Sequence, residues 1–190
     1  MTTLQIFWLV LGSSWTVLEI LIAYKTRAAI NPSQILEVRS ERFIWIVVIS
    51  AVLAALFLKH WQLLPLPFPV MQRQVFATLL FCCGLSLRAY AVWSLGIFFS
   101  TSVITQSQHL LIEHGPYRLI RHPAYSGLLC SFFAAGIAMG DLLACVTLVL
   151  PIAWILIQRM HIEEQMLLTH FGLTYQDYCG RTFKILPGIF

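Results

Sequence analysis

Three stretches of this chain run for about 20 residues with almost no charge, the length an α-helix needs to cross a hydrocarbon core of roughly 30 Å. The first extends from about Leu4 to Tyr24 and carries only Glu19. The second, Phe43 to Leu64, carries only Lys59, and the third, Val75 to Phe99, only Arg88. Between the second and third lies Pro65-Leu66-Pro67-Phe68-Pro69, a run that cannot continue a helix and reads as an extended turn. Two shorter apolar runs follow later, Gly127–Met139 and Leu142–Ile157, split by Gly140-Asp141. Their proximity predicts a helical hairpin. The second of them should be kinked by Pro151 and continue past the membrane into the charged, amphipathic stretch Gln158–His170. The expected fold class is therefore all-α integral membrane, with about five transmembrane helices of which the last two form the hairpin. The chain is read as one membrane domain over 1–190, with 1–74 as variable N-terminal helices and 75–190 as the catalytic core.

Composition excludes the ordinary soluble classes. Of the 190 residues, 59% are hydrophobic and 11% charged, against about 25% charged in soluble domains. The net charge of +4 comes from basic residues scattered between apolar runs. That pattern suits a lipid bilayer and its anionic headgroups, with no nucleic-acid partner and no obligate protein partner expected. The five cysteines are odd in number and contain no CxxC, so neither a disulfide framework nor a metal site is expected. The N-terminal run reads as a retained helix, because it lacks a basic start and is nearly long enough to span.

Basic residues also set an orientation. If Lys25–Arg42 is cytoplasmic, that side holds Lys25, Arg27, Arg39, Arg42, Arg118, Arg121, Arg159, Arg181 and Lys184, while the other keeps Lys59 and Arg73. The positive-inside rule then puts the N-terminus outside and the polar connector and C-terminus in the cytoplasm. Glu19 and Arg88 both fall in the cytoplasmic half of the bilayer, where isolated charges are costly. They are expected to pair with each other.

Unusual residues concentrate between His109 and Gly127. A Gly115-Pro116 step presets a tight backbone, and His122 before Pro123 is pushed out of helical geometry. The result should be a rigid loop presenting His, Tyr and Arg at the membrane surface, which a headgroup-binding loop would also do. A second set, Arg159-Met160-His161-Ile162-Glu163-Glu164, emerges from the last apolar run. Arg159 and Glu163 are four apart and share a helix face. They are either a plain surface pair or an arginine held ready for the carboxylate or phosphate end of a lipid. The aromatics of Phe171-Gly172-Leu173-Thr174-Tyr175-Gln176-Asp177-Tyr178 suit an interfacial lid or anchor on a short amphipathic helix.

Taken together, Gly115-Pro116-Tyr117, Arg121-His122-Pro123-Ala124-Tyr125, Gly127, Arg159, Glu163-Glu164, Phe171-Gly172, Tyr175, Tyr178 and Pro187 resemble the isoprenylcysteine carboxyl methyltransferase family and its phospholipid-methyltransferase relatives. The resemblance covers about Trp93 to Pro187, half the chain. It implies S-adenosylmethionine as methyl donor, in a pocket made by the cytoplasmic loop and C-terminal tail, with a lipid or prenylated substrate entering from the bilayer. Carried over by position, His109, Leu111, Gly115, Pro116, Tyr117, His122, Pro123 and Tyr125 would line the cofactor pocket. Arg159 and Glu163 would act at the acceptor, with Glu164 a less certain partner one step round the helix. No GxGxxG occurs among the ten glycines, so a cofactor site must be built differently from a dinucleotide fold.

The implied reaction is methyl transfer to the polar end of a lipid, with the C-terminal carboxylate of an isoprenylcysteine as leading acceptor. Such a carboxylate, with a pKa near 3.5, needs no base, whereas a phenolic lipid near 10 would recruit Glu163 or a histidine. Phospholipid headgroups remain open as acceptors. A NADPH-dependent sterol-type membrane reductase is the competing enzyme, since those proteins share an Arg-His-Pro-x-Tyr loop and a similar tail. A small scaffold or transporter is the non-enzyme reading, although no repeated halves are visible. All of this requires the histidine-bearing connector and the charged extension of the last helix to meet at one end of the bundle.

Overall fold

The computed structural model of the protein describes residues 3–27, 35–96 and 111–188. Among these the chain forms α1 (Thr3–Arg27), α2 (Ile35–Trp61), α3 (Val70–Leu95), α4 (Pro123–Met139), α5 (Leu142–Phe171) and α6 (Leu173–Arg181). Four of them, α1, α2, α3 and α5, are long and apolar enough to cross a membrane. The expected fifth span is α4, whose 17 residues reach only about 25 Å at 1.5 Å per residue. By length, then, four spans and one short partner helix stand where about five spans were expected.

Helix boundaries follow local chemistry. Pro69 precedes α3 and Pro123 opens α4 at a position where its missing N–H costs nothing. Gly140 closes α4 in the left-handed region at φ 81°. Asp141 then caps α5: one carboxylate oxygen accepts from the Ala144 backbone N–H at 2.9 Å and the other from the Leu64 N–H at 2.6 Å. A buried aspartate thus serves two orphan donors at once. Leu66 N–H to Gly140 O, at 3.0 Å, and Leu142 N–H to Leu64 O, at 2.8 Å, complete the join between the proline turn and the hairpin. Beyond Asp141, α5 runs unbroken through Pro151 for 30 residues, about 45 Å, and so extends past a bilayer core.

Packing is closest where side chains are smallest. Gly84 of α3 faces Gly127 of α4; a Cβ added to Gly127 would lie 2.5 Å from the Gly84 carbonyl oxygen. Only glycine allows the two backbones that approach. On the other side of the hairpin, Leu148, Ile152, Leu156 and Met160 repeat every fourth residue of α5 and pack with Ala51 and Ala55 of α2 and with Phe132. The outward faces carry exposed Leu9, Val17, Ile46, Phe57, Phe76 and Leu79, an apolar surface suited to lipid contact.

Helix α1 is fastened by polar contacts inside this apolar setting. The Trp8 indole N–H donates to Gln74 Oε1 at 2.6 Å, and Gln74 Nε2 donates in turn to the Ala138 carbonyl at 2.9 Å. The Trp15 ring meets Phe132 edge-on at 5.1 Å. The expected Glu19–Arg88 pair is present. Arg88 donates through Nε and Nη2 to the two Glu19 oxygens, the second contact at 2.5 Å, and through Nη1 to the Ala124 carbonyl at 3.3 Å. Trp15 Nε1 also donates to Glu19, at 3.1 Å. One buried network therefore ties α1, α3 and the start of α4, at the end of the bundle where the connector arrives.

Candidate functional site

The connector reaches the bundle through a 3-10 turn at Gly115–Arg118. Gly115 has φ 61°, and a Cβ there would lie 2.9 Å from Ser94 Oγ, so glycine is needed both for conformation and for contact with α3. The turn sends Tyr117 inward against Ala91 and Ala124. His122 adopts φ −124°, ψ 55°, non-helical as its proline neighbour demands. The side chains are less outward-facing than a surface loop would be. Tyr117 is 8% exposed and His122 4%. The reason lies in the tail, which covers them.

That cover is stitched by backbone. Phe183 N–H donates to Leu119 O at 3.0 Å, Arg121 N–H to Phe183 O at 2.8 Å, and His122 N–H to Lys184 O at 3.2 Å. Residues 183–184 thereby lie as a short parallel partner of residues 119–122. Ser126 Oγ adds a bond to Ile185 O at 2.6 Å. From α6, the Tyr178 hydroxyl donates to the Tyr117 carbonyl at 2.7 Å. Arg121 Nη1 donates to the carbonyls of Cys179 and Thr182 at 3.0 and 2.5 Å, closing the end of that helix.

Two adjacent carboxylates on α5 hold these pieces together, each facing a different way. Glu164 gathers three cationic or protonatable groups: Arg121 Nε at 3.1 Å, His122 Nε2 at 3.2 Å and Lys184 Nζ at 2.7 Å. Connector, helix and tail therefore meet on one side chain. Glu163 faces inward along α4, accepting from the Tyr125 hydroxyl at 3.0 Å. The same hydroxyl accepts from Arg159 Nε at 2.9 Å. Arg159 and Glu163, expected to share a face, are thus bridged by a phenol from the neighbouring helix. The other ring nitrogen of His122 lies 3.9 Å from Glu163.

The connector and the α5 extension do come together. Of the residues singled out from sequence, Arg159, Glu163, His122, Pro123 and Tyr125 form one constellation. Tyr117 and Pro116 lie buried beside it, with Gly115 at the turn that sets them. Leu111 is half-buried at the start of the described connector. His109 lies outside the described residues. Glu164, expected as the lesser partner, organises loop and tail, a role its neighbour does not share.

Lys184 and the α6 tyrosines were not given site roles from sequence. Tyr175 and Tyr178 are 1% and 3% exposed, so they are interior residues of the site and not an interfacial anchor. Their spacing of three, which places both on one face of α6, was the available signal. Burial raises the Tyr117, Tyr175 and Tyr178 phenols well above their ordinary values, with the Glu163 carboxylate adding to the effect at Tyr117. All three are neutral hydrogen-bonding groups across the physiological range. Burial likewise pushes the Cys179 thiol up.

Fold and site together define a helical membrane protein whose polar chemistry is gathered at one end of the bundle, under a covering tail. Residues 77–169 match the model of the isoprenylcysteine carboxyl methyltransferase (ICMT) family. A protein of Oryza sativa subsp. indica named "Probable protein-S-isoprenylcysteine O-methyltransferase" is 36% identical over 109 residues, 56% of either chain. Methanethiol S-methyltransferase 2 of Bradyrhizobium diazoefficiens is 28% identical over 177 residues, 83% of this chain and 64% of that one. Among solved structures, the eukaryotic intramembrane Ras methyltransferase ICMT superposes with a TM-score of 0.58 at 25% identity, covering 85% of this chain and 55% of that one. This chain spans about half the length of the isoprenylcysteine relative and of that structure.

Proposed function

We propose that the protein is an S-adenosylmethionine-dependent methyltransferase that esterifies the carboxylate of an isoprenylcysteine-type lipid. The observation that carries this reading is the Arg159–Tyr125–Glu163 chain at 2.9 and 3.0 Å. A buried arginine fixed through a phenol is a preorganised receptor for an anionic oxygen. Glu163 holds Tyr125 from the far side and so sets where the guanidinium points. Glu163 facing the acceptor directly would repel it.

S-adenosylmethionine, when bound, supplies a methyl group on a cationic sulfur. The residues present fit such a ligand: buried neutral phenols, among them Tyr117 and Tyr175, and a carboxylate offer polar contacts. His109, Leu111, Gly115, Pro116, Tyr117, His122, Pro123 and Tyr125 are assigned to hold it. Tyr125 then touches both halves of the site, its ring beside His122 at 5.7 Å and its hydroxyl on Arg159. The protein's work is alignment and exclusion of water, worth several kcal/mol in a displacement. A lipid carboxylate needs no base, and Arg159 gathers its charge as the acceptor approaches.

The family match over residues 77–169 supports assigning 75–190 as the catalytic core and 1–74 as the variable part. The count of basic residues supports a cytoplasmic connector and tail, with the N-terminus outside. Lipid or prenylated acceptors would reach the site from the bilayer between the helices.

A second acceptor class is favoured by one observation. The S-methyltransferase relative aligns over 83% of this chain, whereas the isoprenylcysteine relative aligns over 56%. A small thiol would need deprotonation, as its pKa lies above neutrality. The test is methyl transfer by detergent-purified protein from S-adenosylmethionine to an N-acetylated S-prenylcysteine, alongside methanethiol. A base-labile ester formed at a rate flat from pH 6 to 8 is expected. Transfer to methanethiol alone, rising with pH, would move the acceptor to a thiol; binding of NADPH in place of S-adenosylhomocysteine would return the reductase.

A further inference from the structure

The end of the bundle opposite the site carries a cation that no described acidic group answers. Arg73, the fourth residue of α3, is half-buried, and its guanidinium lies across the α-carbon of Gly140. A Cβ added to Gly140 would stand 2.5 Å from Arg73 Cζ and Nη2 and 2.8 Å from Nη1. The planar fork therefore rests face-on against the turn between α4 and α5. Its Nε is enclosed without a hydrogen-bond partner. Among the described residues, carboxylates pair with Arg88, Arg121 and Arg181, but none with Arg73. Asp141, beside Gly140 in the chain, is fully buried, and its oxygens accept from the Leu64 and Ala144 N–H groups at 2.6 and 2.9 Å.

An uncharged chain would fill the same space, whereas a half-buried cation without a counter-charge forfeits hydration for no return. The helix does not call for it either, because a first turn favours acidic side chains over basic ones. The surroundings set its depth. At 1.5 Å per residue Arg73 stands about 22 Å along α3 from Arg88, most of the way across a hydrocarbon core of roughly 30 Å. The turns that frame it expose Leu63, Leu64, Phe68 and Leu142, side chains that water disfavours and a membrane boundary accepts. We propose that Arg73, seated on Gly140, binds the phosphodiester of an anionic phospholipid in the leaflet on that side. A planar fork matches two phosphate oxygens. With Asp141 turned inward, no described carboxylate there is free to hold the ammonium of a zwitterionic headgroup. Binding at this end is independent of which reaction the other end performs.

The probe is dioleoylphosphatidylglycerol, titrated into the full-length protein in a neutral detergent, with the melting temperature as readout. Dioleoylphosphatidylcholine and inorganic phosphate are the comparison arms. Phosphatidylglycerol should raise the melting temperature to a plateau, because a ligand of the folded state stabilises it by mass action. Arg73→Gln should raise the half-saturating concentration about 10-fold, the scale of one charge-assisted pair. Arg73→Lys keeps the charge without the fork and should raise it by a smaller factor. Lys59→Gln, which removes the other cation of this end, should change it little.

A wild-type protein that phosphatidylglycerol does not stabilise would overturn the inference, as would an unchanged half-saturating concentration in Arg73→Gln. An equal shift in Lys59→Gln overturns it too, by spreading the effect over the charge of the whole surface. Equal stabilisation by phosphatidylcholine would remove the preference for an anionic lipid, and equal stabilisation by inorganic phosphate at the same concentration would make the ligand a free anion. Where Arg73→Gln does not survive extraction, Arg73→Lys decides: a several-fold rise supports the fork, and an unchanged value sinks it.

Discussion

At the scale of single residues, the two adjacent glutamates show how position on a helix divides labour. Glu163 and Glu164 are chemically identical and one residue apart, yet a rotation of about 100° sends one toward α4 and the other toward the tail. In the proposed assignment, Tyr125 is the residue on which the acceptor half turns, since its hydroxyl accepts from Arg159 and donates to Glu163. Tyr125→Phe should leave Arg159 charged but without that anchor, raising the acceptor KM about 10-fold, the scale of one charge-assisted hydrogen bond. S-adenosylhomocysteine affinity should fall much less. Separate measurements of acceptor KM and product binding check this, and a loss confined to product binding would assign the hydroxyl to the cofactor half alone.

Among elements, the fastening of α1 is the clearest case of a polar device in an apolar protein. Its Trp8 and Trp15 pack by ring edges, which sets proximity but little direction. Direction comes from Glu19, whose carboxylate accepts from two of the Arg88 nitrogens, Nε and Nη2. Arg88→Met should destabilise the folded protein by about 3–5 kcal/mol, because it leaves Glu19 buried and uncompensated. Combining it with Glu19→Gln should recover much of the loss. Thermal unfolding in detergent measures both, and a folded single variant of wild-type stability would show that α1 is held by apolar packing alone.

For the whole molecule, the site depends on a tail that contributes almost no helix. Residues 182–185 supply backbone bonds to Leu119, Arg121 and Ser126, and Lys184 supplies a cation to Glu164 at 2.7 Å. Ending the chain after Arg181 should abolish S-adenosylhomocysteine binding while circular dichroism retains the helices of the bundle. Loss of helicity in parallel would make the tail a requirement for the bundle itself.

Helices were legible in the sequence because lipid imposes a simple rule: about 20 apolar residues with every backbone group bonded internally. That rule marked three span-length helices and a hairpin of two shorter ones, the second of which is long enough to span in the structure, and the cost of isolated charge pointed Glu19 to Arg88. Motif spacing singled out the connector and Arg159–Glu163, which the structure brings together. Only tertiary structure decided that Tyr125 joins Arg159 to Glu163, that Glu164 binds connector to tail, and that Tyr175 and Tyr178 are interior. Those contacts join residues 34–61 positions apart in sequence, beyond the reach of any helical period. Sequence periodicity specifies which face of a helix is polar, whereas the partner of that face is chosen by how the helices and the tail pack around it.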